Sequence, residues 1–389
     1  MDDVPAGPAY PESRRPPLSV VIPVHNGGRD FERCLQRLRE SDRADYEIVV
    51  VDDGSTDGSA ALAESYGATV VRHEAPLGPA AARNLGARSA QAPLIFFLDA
   101  DVAVHRDTLS KAMARFEVDL DLSALFGSYD DTPSHPGLTS QFRNLLHHYV
   151  HQQGEFVDDT RPARTFWTGC GVIRRDDFLN LGGFDPQLYR RPAIEDIEFG
   201  YRLTRAGFKI LLARDVQATH LKCWTLASML KTDVFQRGVP WMLLIKRSGV
   251  VETDLNVKND QKICVASAGV LSLTLPLVPF RPELLLVVMA CLATIVLLNR
   301  RFYRFLAGRR GWTFAASALP LHYLYYCCCG VSVVIALALW HGSRRWMAFG
   351  TAQPGLSSLV RKDPASSSSS TPARTGQTRA RRPSRWTNR

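Results

Sequence analysis

The chain contains no Cys-x-x-Cys pair and no evenly spaced cysteine framework. Neither a structural zinc site nor a disulfide scaffold is therefore expected. Cys34, Cys170 and Cys223 are isolated, and Cys264, Cys291 and the run Cys327 to Cys329 lie in apolar sequence. Three consecutive side chains on a helix point about 100° apart and cannot share a metal, so these read as small apolar packing residues. No basic patch with interleaved aromatics occurs in the part that reads as folded, which argues against nucleic acid as a partner. There is no internal repeat, and residues 1–17 have no apolar core of the secretory type. That segment is Pro-rich and reads as a flexible arm, leaving the domain that follows in the cytoplasm.

What is present is unevenly distributed. Ten Arg or Lys against one Asp between Arg344 and Arg389 account for the whole net charge of +9. This Ser-, Thr- and Arg-rich tail reads as disordered and suits an anionic membrane surface. Residues 18–255 mix charged and apolar residues as a soluble domain does. Residues 256–343 hold three apolar segments, at Ile263 to Phe280, Leu284 to Leu298 and Phe314 to Trp340. Pro276, Pro279 and Pro282 between the first two read as the bend of a helical hairpin, and the Arg-rich stretch Asn299 to Arg310 belongs on the cytoplasmic side. Pro320 and His322 interrupt the third segment. What remains, Cys327 to Trp340, spans about 21 Å as a helix, short for a hydrocarbon core of about 30 Å. A re-entrant or interfacial third segment is therefore expected, with the tail at the cytoplasmic face. Together these features describe a multi-pass protein of the inner membrane.

Apolar, β-branched runs at Leu18 to Val24, Tyr46 to Val51, Ala68 to Arg72 and Leu94 to Leu98 alternate with helical segments near 29–40, 59–66 and 80–89. The alternation predicts an α/β fold with a mostly parallel, Rossmann-like sheet. In such sheets ligands bind at the carboxyl ends of the strands. Residues 122–224 are less regular, with a helix expected from Glu195 to Ala206 and a strand from Lys209 to about Ala218. This half reads as the acceptor side.

The polar clusters follow strand ends. Asp52 and Asp53 close one strand before Gly54, either as acceptors for a base N–H and ribose hydroxyls or as the cap of a turn. Asp99-Ala100-Asp101 follows a buried strand, where two carboxylates are costly unless a cation binds them. Hard oxygen ligands suit Mg²⁺ or Mn²⁺ carrying a diphosphate. Arg83, on an Ala-rich helix, is a candidate for the phosphates or a surface residue. Glu195 and Asp196 open a helix, where negative charge is stabilising and where a carboxylate could also act as general base. His220 ends the last strand, as a structural histidine or a ligand.

Taken in order, Ser19-Val20-Val21-Ile22-Pro23-Val24-His25-Asn26, Val51-Asp52-Asp53-Gly54-Ser55-Thr56-Asp57, Ala82-Arg83-Asn84, Asp99-Ala100-Asp101, Gly182-Gly183-Phe184-Asp185 and Glu195-Asp196 closely resemble the family 2 glycosyltransferases of the GT-A fold, over about residues 18–225. The resemblance implies inverting, metal-dependent transfer of one sugar from a nucleotide diphosphate donor, with UDP favoured, to a lipid or lipid-linked acceptor. By resemblance Pro23, Asp52 and Asp53 hold the nucleoside, Arg83 and Asp99 face the donor, and Asp101, Asp99 and His220 hold the Mn or Mg ion. Asp196, beside Glu195, matches the base, and Trp167, Thr168 and Gly169 lie on the acceptor loop. Processive synthases of the family carry Gln-x-x-Arg-Trp. The nearest match here, Gln236-Arg237-Gly238-Val239-Pro240-Trp241, has different spacing, so a processive subunit is the alternative, with an inactive nucleotide-sugar-binding protein as a further one.

Overall fold

The computed structural model describes residues 15–249 and 258–346. Nearly all of the expected arm and basic tail, and the boundary expected at 255/256, lie outside the described residues. The first half alternates as the sequence implies: β1 (Leu18–Val24), α1 (Gly28–Arg39), β2 (Tyr46–Asp53), α2 (Ser59–Ser65), β3 (Thr69–His73), α3 (Pro79–Ser89) and β4 (Leu94–Leu98). These strands pair in parallel in the order β3-β2-β1-β4. Most of β1 and all of β4 are buried, which is why they read as unbroken apolar runs.

The second half is more regular than its sequence implies. It runs β5 (Val102–Val104), α4 (Thr108–Val118), β6 (Leu122–Tyr129), α5 (Leu138–His151), β7 (Thr160–Pro162), β8 (Cys170–Arg174), α6 (Arg175–Asn180), α7 (Glu195–Arg205) and β9 (Lys209–His220). The nine-stranded sheet is mixed: β8 lies antiparallel between β4 and β6, and β5 and β7 are antiparallel to β9. Cys170 and Gly171, which read as loop, belong to β8.

After β9 come α8 (Leu226–Lys231), a π-helical segment (Thr232–Gly238) and α9 (Val239–Ser248). The apolar region forms α10 (Asn259–Thr274), α11 (Leu284–Leu298), α12 (Arg300–Arg310) and α13 (Trp312–Trp346). The expected bend is present, as a short 3₁₀ turn at Leu275–Leu277 and the prolines after it, and α10 packs on α11 and α13. The expected break at Pro320 is absent, because α13 runs through it. An interior proline costs one helical hydrogen bond and tends to kink, but here Ala315, Ala318 and Leu321 pack on Phe142 of α5 and Phe302 of α12 on both sides of the ring. Trp312–Gly342 is thus long and apolar enough to cross a membrane, and α11 with α12, bent by 67°, would pass as one broken span. Further along, Cys328, Ile335, Ala336, Leu339 and Trp340 join the cluster containing Leu243 and Leu244 of α9. Leu273, Phe280, Leu286, Met289 and Val334 point outward and are exposed.

Candidate active site

Two short motifs fasten the site from below. Asn84 of α3 grips the Gly-Gly-Phe-Asp loop through its backbone: Nδ2 donates to Phe184 O at 2.8 Å, and Phe184 N donates to Oδ1 at 2.9 Å. Phe184 then enters a ring cluster with Phe97, Phe178 and Phe199, centroids 5.0–5.6 Å apart. Its neighbour Arg83 donates to Asp99 Oδ1 at 2.6 Å and to Glu195 Oε1 at 2.7 Å. One buried guanidinium therefore ties the end of β4 to the start of α7, and its Nε is buried without a partner. The two carboxylates hold the Arg83 charge firmly on.

Glu195 and Asp196 differ in environment. Glu195 is 4% exposed; it takes Arg83 on one oxygen and Ala193 N at 3.0 Å on the other. Asp196 accepts only backbone N–H groups, from Thr168 at 3.3 Å and Ile197 at 2.8 Å, and it faces a cavity of about 220 Å³. Burial, and after it the charge of Glu195, raises the Asp196 carboxyl to about 7, against the lowering pull of Arg83 and the two amides.

Strand register brings the other pair together. Val102 is opposite His220 in the β5–β9 ladder, and Leu221 N donates to Asp101 O at 2.8 Å. His220 Nε2 then lies 3.6 Å from Asp101 Oδ2. Nδ1 donates to Asn144 Oδ1 on α5 at 2.6 Å, and the ring stacks on Tyr129 at 4.3 Å. The other ring nitrogen, Nε2, is the one that faces Asp101. Burial opposes the Asp101 carboxylate, but His220 and Lys222 outweigh it and hold the group below its ordinary range.

Of the sequence-derived candidates, Arg83, Asp99, Asp101, Trp167, Thr168, Glu195, Asp196 and His220 line this one cavity. Gly169 does not; a Cβ there would collide with the Trp167 indole, so its part is to let that ring lie flat. Pro23, Asp52 and Asp53 also lie outside the lining, at the ends of β1 and β2. Asp52 accepts Ser55 N at 2.9 Å and pairs with Arg72 at 3.0 Å. Asp53 takes His73 at 2.6 Å and the amides of Leu77 and Gly78 at 2.9 and 2.8 Å. Both carboxylates thus organise the turn and the loop leading into α3.

The cavity also holds residues outside the ordered motif set. His147 and His151, one helical turn apart on α5, touch through their Nε2 atoms at 3.1 Å. Burial drives both below the usual histidine range, His151 to about 3, so they are neutral. Arg143, Lys222, Trp224, Gln236, Arg237 and Trp241 complete the wall. The helical spacing of His147 and His151 was a readable signal. Gln236 and Trp241 line the same cavity despite their spacing, from the π-helical segment and α9.

Residues 19–182 match the sequence profile described as Glycosyl transferase family 2. They form a family 2 glycosyltransferase domain. Among relatives of this domain, the validoxylamine A glucosyltransferase of Streptomyces hygroscopicus subsp. jinggangensis is 31% identical over 266 residues, covering 59% of this chain and 63% of that one. The same-named protein of subspecies limoneus is also 31% identical, with 59% and 58% covered. The chain thus spans under two thirds of the length of these relatives. Glycosyltransferase AglE of Haloferax volcanii is 26% identical over 222 residues, covering 54% and 68%. The family 2 mixed α/β fold is of the GT-A type. A mannosyltransferase from Pyrobaculum calidifontis, solved with GDP-Man and Mn²⁺, overlays with a TM-score of 0.47 and 19% identity, covering 87% of this chain and 90% of that one.

Among the described residues no three His, Cys, Asp or Glu side chains converge on one metal-sized point. The protein offers an incomplete set, one carboxylate and one imidazole, with Asp99 turned toward Arg83. That set fits a Mn²⁺ or Mg²⁺ whose other positions go to diphosphate oxygens and water. Buried polar atoms without a partner, on Arg83, Thr165 and Trp224 of the wall and on Asn144 behind His220, fit a polar ligand.

Proposed function

We propose that this family 2 domain transfers one sugar from a nucleotide diphosphate donor, UDP-linked in the first instance, to a hydroxyl of a lipid or lipid-linked acceptor, with inversion at the anomeric carbon. The observation that carries this reading is that Asp196, its carboxyl raised to about 7, lines the same cavity as Asp101 and His220. The acceptor oxygen attacks the anomeric carbon as its proton passes to Asp196, and the bond to the diphosphate breaks with its electron pair leaving on the nucleoside diphosphate. A carboxyl near 7 takes that proton at neutral pH and is half available to do so. The donor nucleoside lies over Pro23, Asp52 and Asp53, and the acceptor lies against Trp167 and Thr168. Glu195 and Arg83 act through position: Arg83 holds Glu195 and Asp99 apart and fixed. A divalent cation on Asp101 and His220, with Asp99 beside it, would neutralise the departing diphosphate.

The outward apolar faces of α10, α11 and α13 support attachment to a membrane, with the domain on the cytoplasmic side where nucleotide sugars are made. A second reading has one observation in its favour. Gln236, Arg237 and Trp241 share the cavity with Asp196, as a processive synthase acceptor channel would require. Incubating membranes that hold the full chain with a panel of nucleotide sugars, and reading lipid products by mass spectrometry, tests both. A single added sugar supports the first reading, and a ladder of lengths supports the second.

A further inference from the structure

Four side chains form a wall between the cavity above and another one. Arg143, Arg237, Trp241 and Tyr325 line both. The second cavity, about 400 Å³, is enclosed mainly by α9, α10 and α13. Trp241, Met242, Ile245, Val265, Tyr326 and Val333 make it largely apolar. Arg143 and Arg237 carry charge at the shared wall, and Asp233 and Lys262 also line the second cavity. Arg143 pairs with Asp233 at 2.6 Å, and Asp233 Oδ2 has no partner of its own. Arg237 makes no hydrogen bond or ion pair among the described residues. Arg143 and Arg237 thus share one nearby carboxylate, Asp233, which leaves the wall with an excess of positive charge. Arg237 stands where the largely apolar cavity meets the cavity of Asp196.

We propose that the two cavities together bind one phosphodiester lipid, its hydrocarbon between α9, α10 and α13, its phosphate on Arg237 beside Arg143, and its hydroxylated head at Asp196. This rests on the reading of the first cavity as a glycosyl-transfer site. The order of the features selects the ligand. Apolar space, then positive charge, then the base require an anion placed between a hydrocarbon and a hydroxyl. A phosphodiester has that order, whereas a fatty acid ends at its anion and a neutral glycolipid has none. A membrane source is selected over a soluble phosphate because α10 and α13, which enclose the apolar part, present exposed apolar faces outward.

The test uses the full chain in vesicles of phosphatidylcholine doped with phosphatidylglycerol whose acyl chains are brominated. Trp241 fluorescence is isolated as the signal lost in Trp241→Phe. Quenching by brominated phosphatidylglycerol is expected to exceed that by brominated phosphatidylcholine. Arg237→Gln is expected to weaken the phosphatidylglycerol response roughly tenfold, as loss of one charged hydrogen bond does, and Arg237→Lys to keep most of it. Asp233→Asn, which releases Arg143, is expected to tighten it. Equal quenching by both lipids, no quenching of Trp241, or displacement by glycerol 3-phosphate in water would each overturn the proposal. Nucleoside diphosphate binding, titrated on the same sample with Mn²⁺, separates the two levels. Donor binding without lipid binding sinks the lipid proposal alone, and lipid binding without donor binding sinks the glycosyl-transfer reading beneath it.

Discussion

Asp196 holds its proton more tightly in the folded chain than in the unfolded one, where an aspartate titrates near about 3.9. With the folded value raised to about 7, the native state binds more protons than the unfolded state between these two values. Stability therefore falls as pH rises through that window and levels off above it. Asp196→Asn removes the effect. The excess melting temperature of that variant over the parent should grow from pH 5 to pH 8, and an excess that does not change with pH would show a carboxylate ionised in the ordinary range. Arg83 gives the opposite kind of result. Arg83→Ala leaves Glu195 buried with no cation and Asp99 released, a loss of about 3–5 kcal/mol for a broken buried pair. Chemical denaturation should show it, with partial recovery in Arg83→Lys, which cannot bridge both carboxylates.

At the scale of elements, strands and helices do the positioning. The β5–β9 register sets His220 beside Asp101, and α5 supplies Asn144 to fix the imidazole. Partners that orient a ligating histidine carry about 10–100-fold in metal affinity. Asn144→Ala should therefore weaken Mn²⁺ binding in the presence of nucleoside diphosphate by about that factor, measured by titration, without loss of the fold. The sequence made the first half of the sheet readable because its buried parallel strands are continuous apolar runs ended by carboxylates. It did not show β8, since the Phe-Trp-Thr-Gly-Cys-Gly stretch looks like a loop and joins the sheet only because β4 and β6 offer it two edges. Asp99, Asp101, Asp196 and His220 were legible as candidates next to strand or helix ends, and they line one cavity. Asn144 and Arg143 were not legible, because their meaning comes from contacts across the chain, and Arg237 stood out only within the differently spaced Gln236 to Trp241 stretch. Pro320 misled for a similar reason: local propensity says break, and packing on α5 and α12 overrides it.

At the scale of the whole molecule, the length of α13 and its contacts point in different directions. Length and composition allow a crossing. Yet Ala315 and Ala318 pack with α5, while Leu339 and Trp340 pack on the cluster of α9. The stretch between them, about 38 Å of helix at roughly 1.5 Å per residue, is fastened to the same catalytic domain near both ends. Attachment near both ends favours the proposal that this helix lies along a membrane plane, with the exposed Val331 and Val334 on its outer side. On that proposal the basic sequence after α13 is expected on the side of the domain, as the bias of positive charge favours. A single cysteine at Ser368, in a chain without its native cysteines, should resist an impermeant thiol reagent applied outside intact cells and react once the cells are opened. Labelling of intact cells would show that α13 crosses.

The most direct measurement of transfer at this site is nucleoside diphosphate release by the full chain in membranes, with its lipids present, compared between parent and Asp196→Asn across pH. The account predicts release that requires Mn²⁺ or Mg²⁺, stops with EDTA and rises through about pH 7 with the Asp196 titration. It further predicts a fall of several orders of magnitude in Asp196→Asn while nucleotide binding is kept. Full release in excess chelator, or equal rates in parent and Asp196→Asn, would contradict it.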